Sequence, residues 1–321
     1  MRIIFKFLIL GLISINSAYS QSNAFFNFIV KSDSLYKISH YNEIIDLYNN
    51  GKRYQSNEFN YRMNDYYFMA CCYAKLGDKR NAFKSLNILI DKYDYSDTSI
   101  FRDKDLDNIK NDIRWAKFKT AILTNLKEVE SLRIQYAKLK LKLDSLYIID
   151  QLQTSYLDIE NLKKYDQHGK DSINKEVYQA AKNRSIEVMD LLDGVPWLNK
   201  HILGVDAFEM IFLSVQHSGD INKMEYLLNR YKKYRQTPVD YAHFAMLYDR
   251  FQTKKDKKQR YGTQIIININ TGKKYYLQIE DLNRVNEYRR YCYFDSIQDD
   301  MKWHNMTVFI ESSREEQENI K

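Results

Sequence analysis

Residues 65–93 read DYYFMACCYAKLGDKRNAFKSLNILIDKY, and their spacing decides the class of fold. Tyr66, Met69, Ala70 and Tyr73 fall at threes and fours, the period of one helix face. Leu76-Gly77-Asp78 interrupts the pattern, and Ala82, Phe83, Leu86, Leu89 and Ile90 resume it. The stretch predicts two helices joined by a tight turn that Gly77 permits. Ala70 and Ala82 are small enough to let the two helices approach closely.

Working outward, residues 34–60 predict a weaker helical unit, with Tyr41, Ile44, Ile45 and Tyr48 on one face and Gly51 after it. On the other side, Asn111 or Asp112 can cap a helix that carries Trp115, Phe118, Ile122 and Leu126. This helix is expected to close the block. The 65–93 pair resembles a tetratricopeptide repeat, so residues 21–125 are expected to form a tetratricopeptide-like helical block. Such repeats present a concave face to a peptide or protein, which makes 22–125 the expected partner-binding region.

Residues 126–165 are charged and helix-favouring, with Leu132, Tyr136, Leu139, Leu143, Leu146 and Ile149 at threes and fours. They are expected to form a connector, and a coiled-coil partner is one use for that stripe. Residues 166–310 are expected to form a second helical domain, with helices over 173–192, 205–217 and 221–234 and another opened by Pro238. The period then changes. Tyr261 to Ile269 is β-branched, Asn270-Thr271-Gly272-Lys273 is turn-like, and Lys274 to Ile279 returns. This predicts one β-hairpin near 263–279. Two short helices near 281–291 and 295–304 follow, and 311–321 reads as a charged, frayed tail. The fold class is therefore mainly α with one small hairpin. The scarcity of Gly (9) and Pro (2) argues the same way, because a many-stranded sandwich needs many turns.

The first twenty residues carry a different signal. Met1-Arg2 and Lys6 are positive, Phe7 to Ile15 is apolar but for Gly11, and Ala18-Tyr19-Ser20 sets small residues where a signal peptidase reads. Residues 1–20 are expected to be a cleavable signal peptide, leaving Gln21 first and placing the protein in the periplasm or outside the cell. No Cys stands at that junction, so no lipid anchor is expected, and no stretch reads as a membrane span. The net charge of +7 falls to +5 without Arg2 and Lys6. It is spread along the chain apart from a knot at Lys254-Lys255-Asp256-Lys257-Lys258, which reads as a solvated loop, and no nucleic-acid partner is expected. Cys71 and Cys72 are adjacent on one helix and pair poorly with each other, while either can be imagined reaching Cys292. No zinc spacing is present, and neither a metal nor a cofactor is expected.

The familiar catalytic signatures are absent. Polar residues instead gather at element ends. Gln216 and His217 finish an apolar helix, Asp249 and Arg250 lie near the end of the helix that Pro238 opens, Gln259, Tyr261 and Gln264 flank Gly262, and Arg289 follows. Convergence of His217, Asp249, Arg250 and Tyr261 would form a catalytic cluster, with His217 as base, Arg250 holding an anionic group, and Gln216, Gln259, Gln264 and Arg289 as ligand contacts. The same residues admit an architectural role. Asp249 and Arg250 can fix the helix–hairpin junction, His217 can meet the helix dipole, and Gln264 can satisfy backbone at the hairpin edge.

An ordered set of short motifs runs through this region: Gly194-x-Pro196, Gly204, Gln216-His217, Leu247-Tyr248-Asp249-Arg250, Gln259-x-Tyr261-Gly262-Thr263-Gln264 and Val285-Asn286-x-x-Arg289-Arg290, with Asp150-Gln151 as an opening element. The set resembles domain of unknown function 6624, a family of exported bacterial proteins, over roughly residues 140–295. It departs from the family in having Val195 before Pro196 and Trp197 after it, and in lacking an Arg shortly after Gln151. The resemblance implies an extracytoplasmic helical domain with a small hairpin, often preceded by tetratricopeptide-like helices, and implies no reaction. The expected function is a protein- or peptide-binding scaffold, the alternative a hydrolase or small-anion enzyme using the His217 cluster.

Overall fold

The computed structural model describes residues 24–55, 59–157, 159–267, 274–304, 306 and 308–309. The expected signal peptide, the hairpin turn 270–273 and the tail 311–321 lie outside the described residues. The chain divides into two compact units, Met1–Leu126 and Lys127–Lys321.

The first unit is built from α1 (24–37), α2 (Tyr41–Gly51), α3 (Met63–Lys75) and α4 (Lys79–Tyr93), and is followed by two short 3₁₀ turns and the start of α5 (Ile113–Gln135). The α3–α4 pair forms as its spacing predicts. A buried Arg62–Asp65 capping box opens α3, with Arg62 N–H donating to Asp65 Oδ2 at 2.8 Å. Asp78 caps α4 by accepting from the Asn81 N–H at 3.0 Å. The core of this unit is aromatic. Tyr48 and Tyr61 stack with centroids 4.3 Å apart, Phe28 meets both rings edge-on, and the Tyr61 hydroxyl donates to the Tyr48 carbonyl. Gly51 allows this packing, because a Cβ there would run into the Tyr61 hydroxyl and the Phe25 backbone. Cys71, Cys72 and Cys292 are all buried, and none of them is in a disulfide.

The second unit continues through α6 (Ala137–Thr154), α7 (Ile159–Leu162), α8 (Gln167–Leu191), α9 (Lys200–Leu203), α10 (Val205–Ser218), α11 (Ile221–Tyr234) and α12 (Pro238–Lys254). It ends with β1 (Ile265–Ile267), β2 (Lys274–Tyr276), α13 (Val285–Tyr291), α14 (Ile297–Trp303) and β3 (Val308–Phe309). Residues 126–165 are not a free-standing connector, because α6 packs against α8 and α10 through its buried Leu143 and Leu146. At the centre lies α10, apolar on most of its circumference, with Phe208, Ile211, Phe212 and Val215 buried. It stops at Gly219, whose φ of +67° is the left-handed conformation that favours glycine. Asp220 then caps α11, and Thr237 with Asp240 forms a capping box around Pro238 at the head of α12.

The hairpin pairs β1 and β2 antiparallel, Ile266 opposite Tyr275. The sequence gives no hint of β3, which adds parallel to β2 with Tyr275 opposite Val308. No helix among the described residues is long and apolar enough to cross a membrane.

Candidate functional site

The eight polar residues singled out from the sequence separate into two groups. Asp249, Gln259, Tyr261, Gln264 and Arg289 build the turn that carries the chain from α12 into β1. The Asp249 side chain is fully buried and accepts from four donors: the N–H groups of Arg260 (2.7 Å), Tyr261 (3.0 Å) and Thr263 (3.0 Å), and the Thr263 hydroxyl (3.0 Å). Burial pushes its carboxyl up to about 6 against the pull of these donors. Gln259, also fully buried, donates to the carbonyls of Gln264 and Leu277 and accepts from the Gln264 N–H, which closes the turn on β2. Arg289 donates to the carbonyls of Tyr261 and Gly262 at 3.0 Å each and pairs with Asp300 at 3.0 Å. The Tyr261 ring is sealed among Phe244, Tyr248 and Tyr288. These groups satisfy backbone that an irregular turn would otherwise leave unpaired. They are architecture, and Asp249 and Tyr261 do not join a catalytic cluster with His217.

His217 and Arg250 behave differently. His217 lies in the last turn of α10 with a quarter of its side chain exposed. Its Nδ1 sits 3.3 Å from Oδ1 and 3.2 Å from Oδ2 of Asp150, a fully buried carboxylate on α6. Arg184 of α8 grips the same carboxylate, with Nη2 at 2.7 Å and Nε at 3.2 Å from Oδ1, and its Nη1 donates to Gln153. Burial opposes ionisation of Asp150, but the hydrogen bond and charge of His217, followed by those of Arg184, outweigh it and hold the carboxyl below its usual range. An ionised carboxylate only accepts, so Nδ1 carries the proton and Nε2 is left to exchange one. Among the described residues Nε2 has no hydrogen-bond partner.

Arg250 joins this end of α10 to the turn. Its Nε donates to Gln264 Oε1 and its Nη1 to the Gln216 carbonyl, both at 3.2 Å. Burial lowers its pKa, and among the described residues no carboxylate pairs with it. A half-buried guanidinium without a counter-ion is an anion site in waiting. Gln216 therefore contributes its backbone carbonyl, holding Arg250 beside His217. Lys254, one turn further along α12, brings its ammonium close to Gly219, and Tyr178 donates to the Ser218 carbonyl at 3.2 Å.

Asp150, Arg184 and Gln153 are the site residues that sequence reasoning missed. Asp150-Gln151 stood out only as the opening of a motif series, and nothing local ties Asp150 to partners 34 and 67 positions away. One group in the first unit could hold a cation: Cys71, Asp103 and Asp105, whose ligand atoms lie within 4.8 Å of one another. Its oxygens are already engaged by the Tyr67 and Tyr36 hydroxyls and by Lys75 at 2.6 Å, and burial pushes the Cys71 thiol far up, away from the thiolate a metal needs. The trio clasps α1, α3 and the 103–105 turn together. Comparison with family models, with curated proteins and with solved structures finds no match for this chain.

Proposed function

We propose that the second unit binds a small anion at the C-terminal end of α10 and performs acid–base chemistry on it. Arg250 holds the negative charge and His217 Nε2 takes or gives the proton. The observation that carries this reading is the buried Asp150 carboxylate on Nδ1, which orients the ring as a catalytic base is oriented and leaves Nε2 unpartnered. Arg184 acts through Asp150, keeping it charged and fixed, and is a positioning residue. With a bound ester, Nε2 would take a proton from water and the hydroxide would add to the acyl carbon. The acyl C–O bond would break as His217 returns the proton to the leaving alcohol, which would make the protein a hydrolase.

The probes are inorganic phosphate and acetate, followed by the ¹⁵N and ¹H resonances of the His217 ring. Millimolar phosphate or acetate should shift the Nε2 signals, and Arg250→Gln should abolish the shift while the fold is retained. Ring signals indifferent to both anions would sink the reading.

Two expectations rest on sequence alone and stand as proposals beside it. Export is supported by the positive, apolar and small-residue zones of residues 1–20, and the kinship with domain of unknown function 6624 by the six ordered motifs. A peptide-docking role for residues 22–125 rests on the helix-pair likeness. The rings that α1 and α2 bury against α3 account for those apolar residues without a partner, so the anion reading comes first.

A further inference from the structure

The loop between α8 and α9 carries Gly194-x-Pro196-Trp197, a motif that the His217 site does not use. In the second unit this loop lines a recess together with Met189 and Leu192 at the end of α8, Ile211 of α10 and Leu227 of α11. With its open mouth counted, the recess holds about 360 Å³ of empty space, at the small end of ligand sites. Gly194, at a φ of +68°, turns the chain out of α8. Trp197, which lines the recess, is then fixed by aromatic neighbours. Tyr234 stacks on its indole with an interplanar angle of 10°, and Tyr231 and Phe208 meet it edge-on at 5.2 and 5.9 Å. The indole therefore has little freedom to turn toward a partner. Its Nε1 is shielded from solvent and has no hydrogen-bond partner among the described residues. A buried donor without an acceptor is costly and rare in a folded protein.

The other polar side chains that line the recess are donors too. Arg230 of α11 lies over Trp197 and Tyr226, its guanidinium carbon 5.6 Å from each ring centroid. Its Nη1 donates to the Tyr226 hydroxyl at 2.7 Å, and its Nη2 reaches the Val195 carbonyl at 3.5 Å. Among the described residues no carboxylate lines the recess or pairs with Arg230. The Tyr226 oxygen accepts from Arg230, which leaves the hydroxyl hydrogen to donate. Indole N–H, guanidinium and phenol thus all call for an acceptor that carries negative charge, and the guanidinium fork fits a carboxylate. The remaining walls are Met, Leu, Ile, Pro and Val side chains, which disfavour a second charge and favour an aliphatic tail. We infer that the recess binds a short aliphatic monocarboxylate, with its carboxylate on Arg230 and Trp197 Nε1 and its tail against Leu192, Ile211 and Leu227. The site shares no residue with that of His217 and Arg250.

The probe is 3-methylbutanoate, titrated into the ¹⁵N-labelled full chain while the indole signals of its three tryptophans are followed. Trp197→Phe assigns the signal of interest. The acid should move the Trp197 indole signal saturably and leave those of Trp115 and Trp303 in place. 3-Methylbutan-1-ol has the tail without the charge and acetate the charge without the tail, and each should bind at least about tenfold more weakly. Arg230→Gln, at a partly exposed position, should weaken binding of the acid about tenfold while melting like the parent. Arg250→Gln should bind the acid as the parent does. An indole signal that ignores the acid overturns the inference, water or a ring face then being what meets the N–H. So does an alcohol as effective as the acid, acid binding unchanged in Arg230→Gln, or acid binding lost in Arg250→Gln.

Discussion

Two buried aspartates of the second unit should shape its pH profile in opposite senses. Asp249 has a folded pKa of about 6 against an ordinary value of 3.8, because burial favours its neutral form. Its contribution is full below pH 4 and is lost as pH rises through 6. Asp150 is shifted down by His217 and Arg184, so its contribution is present above pH 4 and is lost as pH falls below it. Denaturant titrations of the second unit at several pH values should show a decline between pH 4 and 6 that Asp249→Asn removes. That variant should also lose about 2 kcal/mol, since an amide cannot accept from four donors. Unchanged stability in Asp249→Asn would mean that the turn does not depend on the carboxylate. The role of Asp249 is also where residue-level reading of the sequence stops. Its position beside Arg250 suggests an ion pair, but the N–H groups that claim it lie 11 to 14 residues away, on a turn whose shape no local pattern specifies.

At the level of elements, the sequence announces helices through caps as much as through periodicity. The bounds of α11 are those expected, because Asp220 fixes its start, and α12 begins at Pro238 because Thr237 and Asp240 box it. β3 was illegible for the opposite reason: a two-residue strand has no period, and its parallel pairing with β2 is made across more than thirty positions. Gly262 shows how the turn and the helices after it depend on each other. Its φ is +64°, and a Cβ there would fall 2.6 Å from Ile297 Cδ1 of α14. Gly262→Ala should therefore cost more than the ~1–2 kcal/mol of the left-handed backbone alone, because the buried Ile297 side chain must also give way. Thermal melting of this variant checks the claim, and an unchanged melt would contradict the packing of α14 on the turn.

For the whole molecule, the chain is two compact units, and the sequence placed the boundary near 125 but assigned the next forty residues to neither unit. Their charged surface suggests a spacer. The inward Leu143, Leu146 and Asp150 make α6 a core helix of the second unit and the source of the carboxylate behind His217. The three thiols are buried and none is in a disulfide, so reductant should leave the melting temperature unchanged. A thiol reagent should label all three cysteines only after unfolding. Labelling of the native chain would show that one of these cores opens.

The most direct test of the account is a crystal structure of the protein with phosphate. The account predicts a phosphate bridging Arg250 and His217 Nε2, with Nδ1 still on Asp150, and its loss in Arg250→Gln crystals. An empty end of α10, with His217 turned away from Asp150, would contradict it.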